Sequence, residues 1–164
     1  MIRCFLALGS NLGDREANLK AAPQLLAGRG VRVLRGASVY STEPKEILAQ
    51  PWFLNTVVEA GTDLSPDDLL AACLAVEQER GRERAEPNGP RTLDVDIIFY
   101  GDRVVRTGRV AIPHPRYTER RFVLEPLAEI AAEVIDPEKH RTVADLLSRS
   151  RDDSKVVRVG KPFV

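Results

Sequence analysis

Gly89-Pro90-Arg91-Thr92-Leu93-Asp94-Val95-Asp96-Ile97-Ile98 begins as turn-forming residues and then, from Thr92 to Ile97, alternates polar and apolar side chains. A period of two predicts a half-buried strand. Successive side chains of a strand point to opposite faces. Leu93, Val95 and Ile97 therefore enter a core, and Asp94 and Asp96 stand together on the other face. Like charges placed side by side repel and are poor strand formers, so the pair needs compensation. A hard divalent cation supplies it, because Mg²⁺ takes oxygen ligands, often one or two carboxylates plus substrate phosphates. Spacing alone leaves a second reading open, a solvated polar face with each carboxylate paired to a nearby arginine.

The surroundings favour the cation. Ten of the 19 arginines lie between Arg80 and Arg121. Arg82, Arg84 and Arg91 precede the acidic strand, and Arg109, His114, Arg116, Arg120 and Arg121 follow it. Guanidinium forks bind phosphate oxygens in pairs, and Mg²⁺ spans phosphates and neutralises developing charge. Carboxylates among many guanidinium groups suit a metal-bridged polyphosphate.

The chain has 164 residues, enough for one domain (1–164) with a sizeable core. Hydrophobic residues make up 43% and charged residues 29%, an ordinary globular composition. Formal net charge is zero, so no global field attracts nucleic acid or an acidic membrane. Cys4 and Cys73 form no CxxC or metal-ligand pattern and read as reduced packing residues. No signal peptide, spanning apolar run or lipidation motif is recognisable, so a cytoplasmic location is expected.

Ile2 to Leu8 reads as a first strand. Gly9 to Asp14 reads as a tight turn into a helix, with Asp14 at the N-cap; it lacks the Gly-Lys-Ser/Thr ending of a phosphate loop. Leu19, Ala22, Leu25 and Leu26 form that helix's apolar face, and Pro23 predicts a kink or an early break. Val31 to Tyr40 and Trp52 to Gly61 read as strands on either side of a polar, proline-bounded loop. Ser65-Pro66-Asp67-Asp68 starts a second helix, with Leu69, Leu70, Cys73, Leu74 and Val76 inward and Gly81 as its stop. After the acidic strand come a short hairpin, a helix over 119–133 containing Pro126, a short helix over 143–147 and a strand over 156–159. Strand, helix, strand, strand, helix, strand is the order of a ferredoxin-like α+β sandwich, with helices on one face of an antiparallel sheet.

Taken together, these blocks resemble the 6-hydroxymethyl-7,8-dihydropterin pyrophosphokinase family of folate biosynthesis. The signature is Gly-Pro-Arg, two residues, then Asp-x-Asp and two aliphatics, here Gly89 to Ile98. Ala7-Leu8-Gly9-Ser10-Asn11-Leu12-Gly13-Asp14, Tyr40 to Pro44, Phe53-Leu54-Asn55, Glu77, Gly81-Arg82-x-Arg84, Pro113 to Arg116 and Arg120 to Leu127 extend it along nearly the whole chain. The resemblance implies the ferredoxin-like fold and diphosphoryl transfer from ATP to the pterin's hydroxymethyl group. It implies two Mg²⁺ ions on Asp94 and Asp96, with Arg82 and Arg91 beside them in the catalytic group. On the ATP side it implies Arg82, Arg84, Arg91, Ile97, Arg109, His114 and Arg120. On the pterin side it implies stacking by Phe53 and Phe122, ring-edge reading by Asn55, and contacts from Thr42, Pro44 and Lys45. Without the resemblance, Phe53 and Phe122 read as core residues. Asn55 stands apart, because a buried amide in an apolar strand is costly unless paired. Glu77 reads as an outer-shell acid or as a partner for Arg82.

The chain also departs from the family's pattern. Asn88 stands where many members carry Trp, Pro87 where a basic residue is common, Glu46 at a frequent glycine, and Pro115 where several relatives have Tyr. The expected partners are small molecules, with no nucleic acid and no membrane, and a monomer or weak dimer. Two other classes share the fold: a two-metal nucleotidyl transferase, disfavoured by the lack of an extended basic stripe, and a non-catalytic ligand-binding domain.

Overall fold

A computed structural model describes residues 1–44, 49–81 and 92–164. The elements in chain order are β1 (Ile2–Ser10), α1 (Arg15–Ala27), β2 (Val31–Gly36), β3 (Val39–Thr42), β4 (Phe53–Thr62), α2 (Pro66–Glu79), β5 (Asp94–Tyr100), β6 (Val105–Arg106), β7 (Ala111–Ile112), α3 (Arg121–Ala131), α4 (Val143–Ser148) and β8 (Val156–Gly160). A short 3₁₀ turn, Tyr117–Glu119, precedes α3.

The main sheet runs β5-β1-β4-β3-β8, with β2 also paired to β4. Its pairings are antiparallel. β1 lies between β5 and β4, and its alternation divides the core. Cys4, Leu6 and Leu8 point towards α1 and α2, where they meet Leu19, Leu26, Leu69 and Val76. Phe5 and Ala7 point the other way, towards α3 and α4, with Val57, Phe99, Leu124 and Val143. The ferredoxin-like α+β architecture is as expected; its one-sided helical layer is not. Both faces of β1 and β5 carry apolar side chains, so the second face also needs a cover, and α3 and α4 supply it for part of its length.

The expected strand over 31–40 is interrupted between β2 and β3. At Ser38 the backbone N–H and the hydroxyl both donate to the Glu129 carboxylate of α3, each at 2.9 Å. α1 runs on past Pro23 to Ala27, so the early break does not occur. Buried Leu19, Ala22 and Leu26 hold the helix to the sheet, and this packing outweighs one missing hydrogen bond. α2 starts at Pro66 with the Ser65 hydroxyl accepting from Asp68 N, and Gly81 beyond its end takes φ +82°. Leu74, expected inward, is 40% exposed. The third long helix is shorter than expected, because the 3₁₀ turn takes its start. β6 and β7 pair as the short hairpin. Cys4 and Cys73 are buried free thiols, and desolvation pushes Cys4 up to about 12. No helix among the described residues is long and apolar enough to cross a membrane.

Candidate active site

The part of the second sheet face that α3 leaves open is the floor of a cavity of about 890 Å³. Register determines what that floor carries. Ala7 pairs with Asp96, and Gly9 pairs with Asp94 on one side and Asn55 on the other. Tyr40 pairs with Asn55, and Thr42 with Phe53. Paired residues of an antiparallel ladder share a face, so Asp94, Asp96, Asn55, Phe53 and Thr42 lie on one surface. All five line the cavity. The walls come from His114, Arg116 and Arg120 before α3, Phe122 in its first turn, Glu43 and Pro44 after β3, and a C-terminal wall that includes Arg149 and Asp152.

Asp94 and Asp96 are half-buried, while Leu93, Val95 and Ile97 are buried in the core, as the alternation predicts. The peptide between the two acids is held from behind. Glu77 of α2, 2% exposed, accepts the Val95 N–H at 2.8 Å through Oε2. A carboxylate in a core thus spends part of its hydrogen-bonding capacity on the strand segment that aims the acidic pair. Among the described residues, no group of three or more His, Cys, Asp or Glu side chains is gathered to cage a metal. Two oxygen donors open to a cavity suit Mg²⁺, whose remaining ligands are commonly phosphates and water.

Asn55 is 6% exposed, and its Nδ2 donates to Thr42 Oγ1 at 2.6 Å. This satisfies part of a costly buried amide and fixes its orientation. Gly9 makes room for it, since a Cβ at residue 9 would lie 2.5 Å from Asn55 Oδ1. His114 Nδ1 accepts the Arg116 N–H at 3.1 Å, so the neutral ring carries its proton on Nε2. Burial lowers the imidazole's pKa; Asp96 opposes this, and Arg120 and Arg116 add to it. Arg120 lies with Cζ 5.7 Å from the Phe122 ring centroid, within cation–π range.

Thr42, Pro44, Phe53, Asn55, Asp94, Asp96, His114, Arg120 and Phe122 thus come together around one cavity. Ile97 and Arg109 do not line it. They border an adjoining space of about 110 Å³ that shares Asp96 and His114 with the large cavity; Ile97 is otherwise a core residue. Lys45, Arg82, Arg84 and Arg91, with Glu46, Pro87 and Asn88, lie outside the described residues. Gly9 was read only as part of a turn, although it belongs to β1; its role depends on a cross-strand neighbour 46 positions away, shown by the Gly9–Asn55 pairing. The turn proper is shorter and ends at Asp14, whose carboxylate accepts from Ala17 N. The wall from Arg149 to Asp152 carried no recognisable sequence signal.

A family model described as 7,8-dihydro-6-hydroxymethylpterin-pyrophosphokinase matches residues 5–132. Similar proteins include the 2-amino-4-hydroxy-6-hydroxymethyldihydropteridine pyrophosphokinases of Bacillus subtilis and Methylorubrum extorquens. The first is 42% identical over 158 residues, covering 96% of this chain and 89% of that one. The second is 43% identical over 136 residues, covering 82% and 86%. The folate synthesis bifunctional protein of Pisum sativum is 44% identical over 131 residues, and the chain spans only 25% of its length. Among solved structures, a Plasmodium falciparum HPPK-DHPS matches with a TM-score of 0.68 at 14% identity, over 91% of this chain and 43% of that one. At that identity the likeness concerns the fold.

Proposed function

The chain belongs to the 7,8-dihydro-6-hydroxymethylpterin-pyrophosphokinase family, and on that premise we propose that it transfers the diphosphate of ATP to 6-hydroxymethyl-7,8-dihydropterin in folate biosynthesis. The pterin's hydroxymethyl oxygen bonds to the β-phosphorus. The bond from that phosphorus to the oxygen bridging to the α-phosphate breaks, AMP leaves with that oxygen, and the hydroxyl proton is released. The observation that carries this reading is the common cavity. Paired carboxylates, an oriented amide and a phenyl ring share its floor, and a second phenyl ring, an imidazole and guanidinium groups line its walls.

In this reading Phe53 and Phe122 take the faces of the flat pterin, and stacked rings gain beyond simple area burial. The Asn55 amide, held by Thr42, reads the ring edge with donor and acceptor on one side chain. Thr42 at the end of β3, with Pro44 and Lys45 following it in sequence, adds contacts. Asp94 and Asp96 would hold the two Mg²⁺ ions, which would supply neutralisation of the phosphate charge. His114 presents Nε2–H to phosphate oxygen, and Arg120 with Arg82, Arg84 and Arg91 meets the charge that builds on the leaving α-phosphate. Ile97 and Arg109 border the nucleotide end of the site. The protein's contribution is positioning and charge stabilisation, with no covalent intermediate on the chain.

The test is AMP formation from ATP, Mg²⁺ and the pterin. AMP that appears only with the pterin, and is lost in Asp96→Ala, is the expected result. ADP in place of AMP would overturn the reading in favour of simple kinase chemistry.

A further inference from the structure

The family match ends at residue 132, yet part of the cavity wall comes from far beyond it. Arg149, Ser150, Arg151 and Asp152 line the cavity between α4 and β8. From the turn at Asp152 the chain runs to Lys155 and links two walls that sequence places far apart.

At one end it meets α3. The N-cap residue of that helix is Arg120, which makes no side-chain capping bond. Instead Asp152 Oδ2 accepts the N–H of Arg121, the first helical residue, at 2.8 Å from 31 positions away. A carboxylate there satisfies one of the donors a helix leaves open and complements its positive end. The next residue in that first turn is Phe122. Asp152 is itself fixed. Its Oδ1 accepts from Ser154 N at 3.0 Å and Ser154 Oγ at 2.7 Å, and its own N–H donates to Ser150 Oγ at 3.2 Å.

At the other end the segment meets the chain leaving β3. Beyond the Thr42–Val156 pair, Glu43 N donates to Lys155 O at 3.2 Å, and Lys155 N donates to Glu43 Oε1 at 2.9 Å. Four residues, Asp152 to Lys155, thus tie the helix turn bearing Phe122 to the strand end bearing Thr42 and Pro44. Phe122 and Asp152 at one anchor, and Thr42, Glu43 and Pro44 at the other, line the cavity that Asn55 and Phe53 floor.

We propose that Asp152 is a positioning residue for Phe122, and that the segment from Asp152 to Lys155 sets the width of the slot for the flat aromatic substrate. This rests on the stacking role given to Phe122 above.

The experiment is steady-state AMP formation with pterin and ATP varied separately, for Asp152→Ala, Asp152→Asn, Phe122→Ala and the double variant Asp152→Ala/Phe122→Ala. Losing a hydrogen bond to a charged acceptor at an ordered site predicts a rise of about tenfold in the pterin KM of Asp152→Ala. The pterin KM should rise by more than the ATP KM, because Phe122 is the side chain of that helix turn given to the pterin. Asp152→Asn keeps an acceptor oxygen and should restore most of the loss. Because Asp152 acts through Phe122, the double variant should bind pterin about as poorly as Phe122→Ala alone. An unchanged pterin KM in Asp152→Ala, or effects that multiply in the double variant, overturns the positioning role while leaving the stacking role intact. An unchanged pterin KM in Phe122→Ala removes the stacking role, and the proposal with it.

Discussion

Gly9→Ala tests the pterin side of the site with a single methyl group. The residue lies within β1, where alanine is at least as acceptable as glycine to the backbone. The whole effect should therefore come from what the methyl meets. An added Cβ lies 2.5 Å from Asn55 Oδ1, with Phe53 Cδ1 at 3.5 Å. Ordinary contact is about 3.5 Å or more, so the amide oxygen has to retreat by roughly 1 Å. It cannot retreat alone, because Nδ2 of the same amide is held to Thr42 Oγ1 at 2.6 Å. Either that bond stretches or the amide plane rotates, and in both cases the ring edge meets a misaligned donor and acceptor. One or two impaired hydrogen bonds at about 1–1.5 kcal/mol each predict a pterin KM raised by roughly 5- to 150-fold. The ATP KM should be unchanged. AMP release measured against pterin at saturating ATP reads the effect. Asn55→Ala provides the control, since in that background the methyl has nothing to displace and should cost little further. A Gly9→Ala protein with the original pterin KM would refute both the steric argument and the assignment of Asn55.

Three further outcomes are expected. Asp96→Ala should abolish AMP formation while leaving thermal stability nearly unchanged, because its half-buried carboxylate faces the cavity and not the core; a large drop in Tm would mean the pair is structural. Glu77→Leu should orphan the buried Val95 N–H and cost about 1–3 kcal/mol, roughly 3–10 °C in Tm for a chain of this size, whereas Glu77→Gln keeps an acceptor and should cost much less; equal losses would refute the role given to that hydrogen bond. Glu59 is partly buried, which raises its pKa, but hydrogen bonds from Arg3 and Arg35 outweigh this and hold it below the ordinary carboxylate value of 4.5. Its contribution is present above that value and lost as pH falls through the depressed one, so Glu59→Gln should flatten the acid limb of a Tm-against-pH curve below about pH 4.5 and leave the shape above it alone.

Legibility in the sequence followed the range of the interaction responsible. The acidic strand was readable because its signal is local: alternation within seven residues sends Leu93, Val95 and Ile97 to the core and leaves Asp94 and Asp96 opposite. The start of α2 was readable for the same reason, with cap, proline and acids adjacent in the chain. The break between β2 and β3 was not, because its cause is Glu129, 91 residues from Ser38. The second helical layer was missed because an alternating strand predicts one buried face and says nothing of what covers the other. Glu77 reads from sequence either as an acid behind the site or as a partner for Arg82; the bond it makes to the Val95 N–H is to a backbone atom and leaves no trace in side-chain pattern.

The same division of faces explains why the site lies where it does. A sheet packed on both sides along its whole length has nowhere to place Asp94 and Asp96 except in a core, at a desolvation cost of several kcal/mol per ion. A sheet bare on one side leaves them in water, where opposing charges are screened and phosphate recognition is weak. Here α3 covers the second face over Phe5, Val57 and Phe99 and stops short of Gly9, Asn55 and the acidic pair. The carboxylates stay half-buried, with solvent on one side and Glu77 fixing the strand behind them. A half-desolvated anionic floor ringed by His114, Arg116 and Arg120 gains most from a ligand that brings cations and phosphates together. Extending α3's cover across that floor would bury the acidic pair at that desolvation cost and extinguish the chemistry, because the area covered is the area the substrates need.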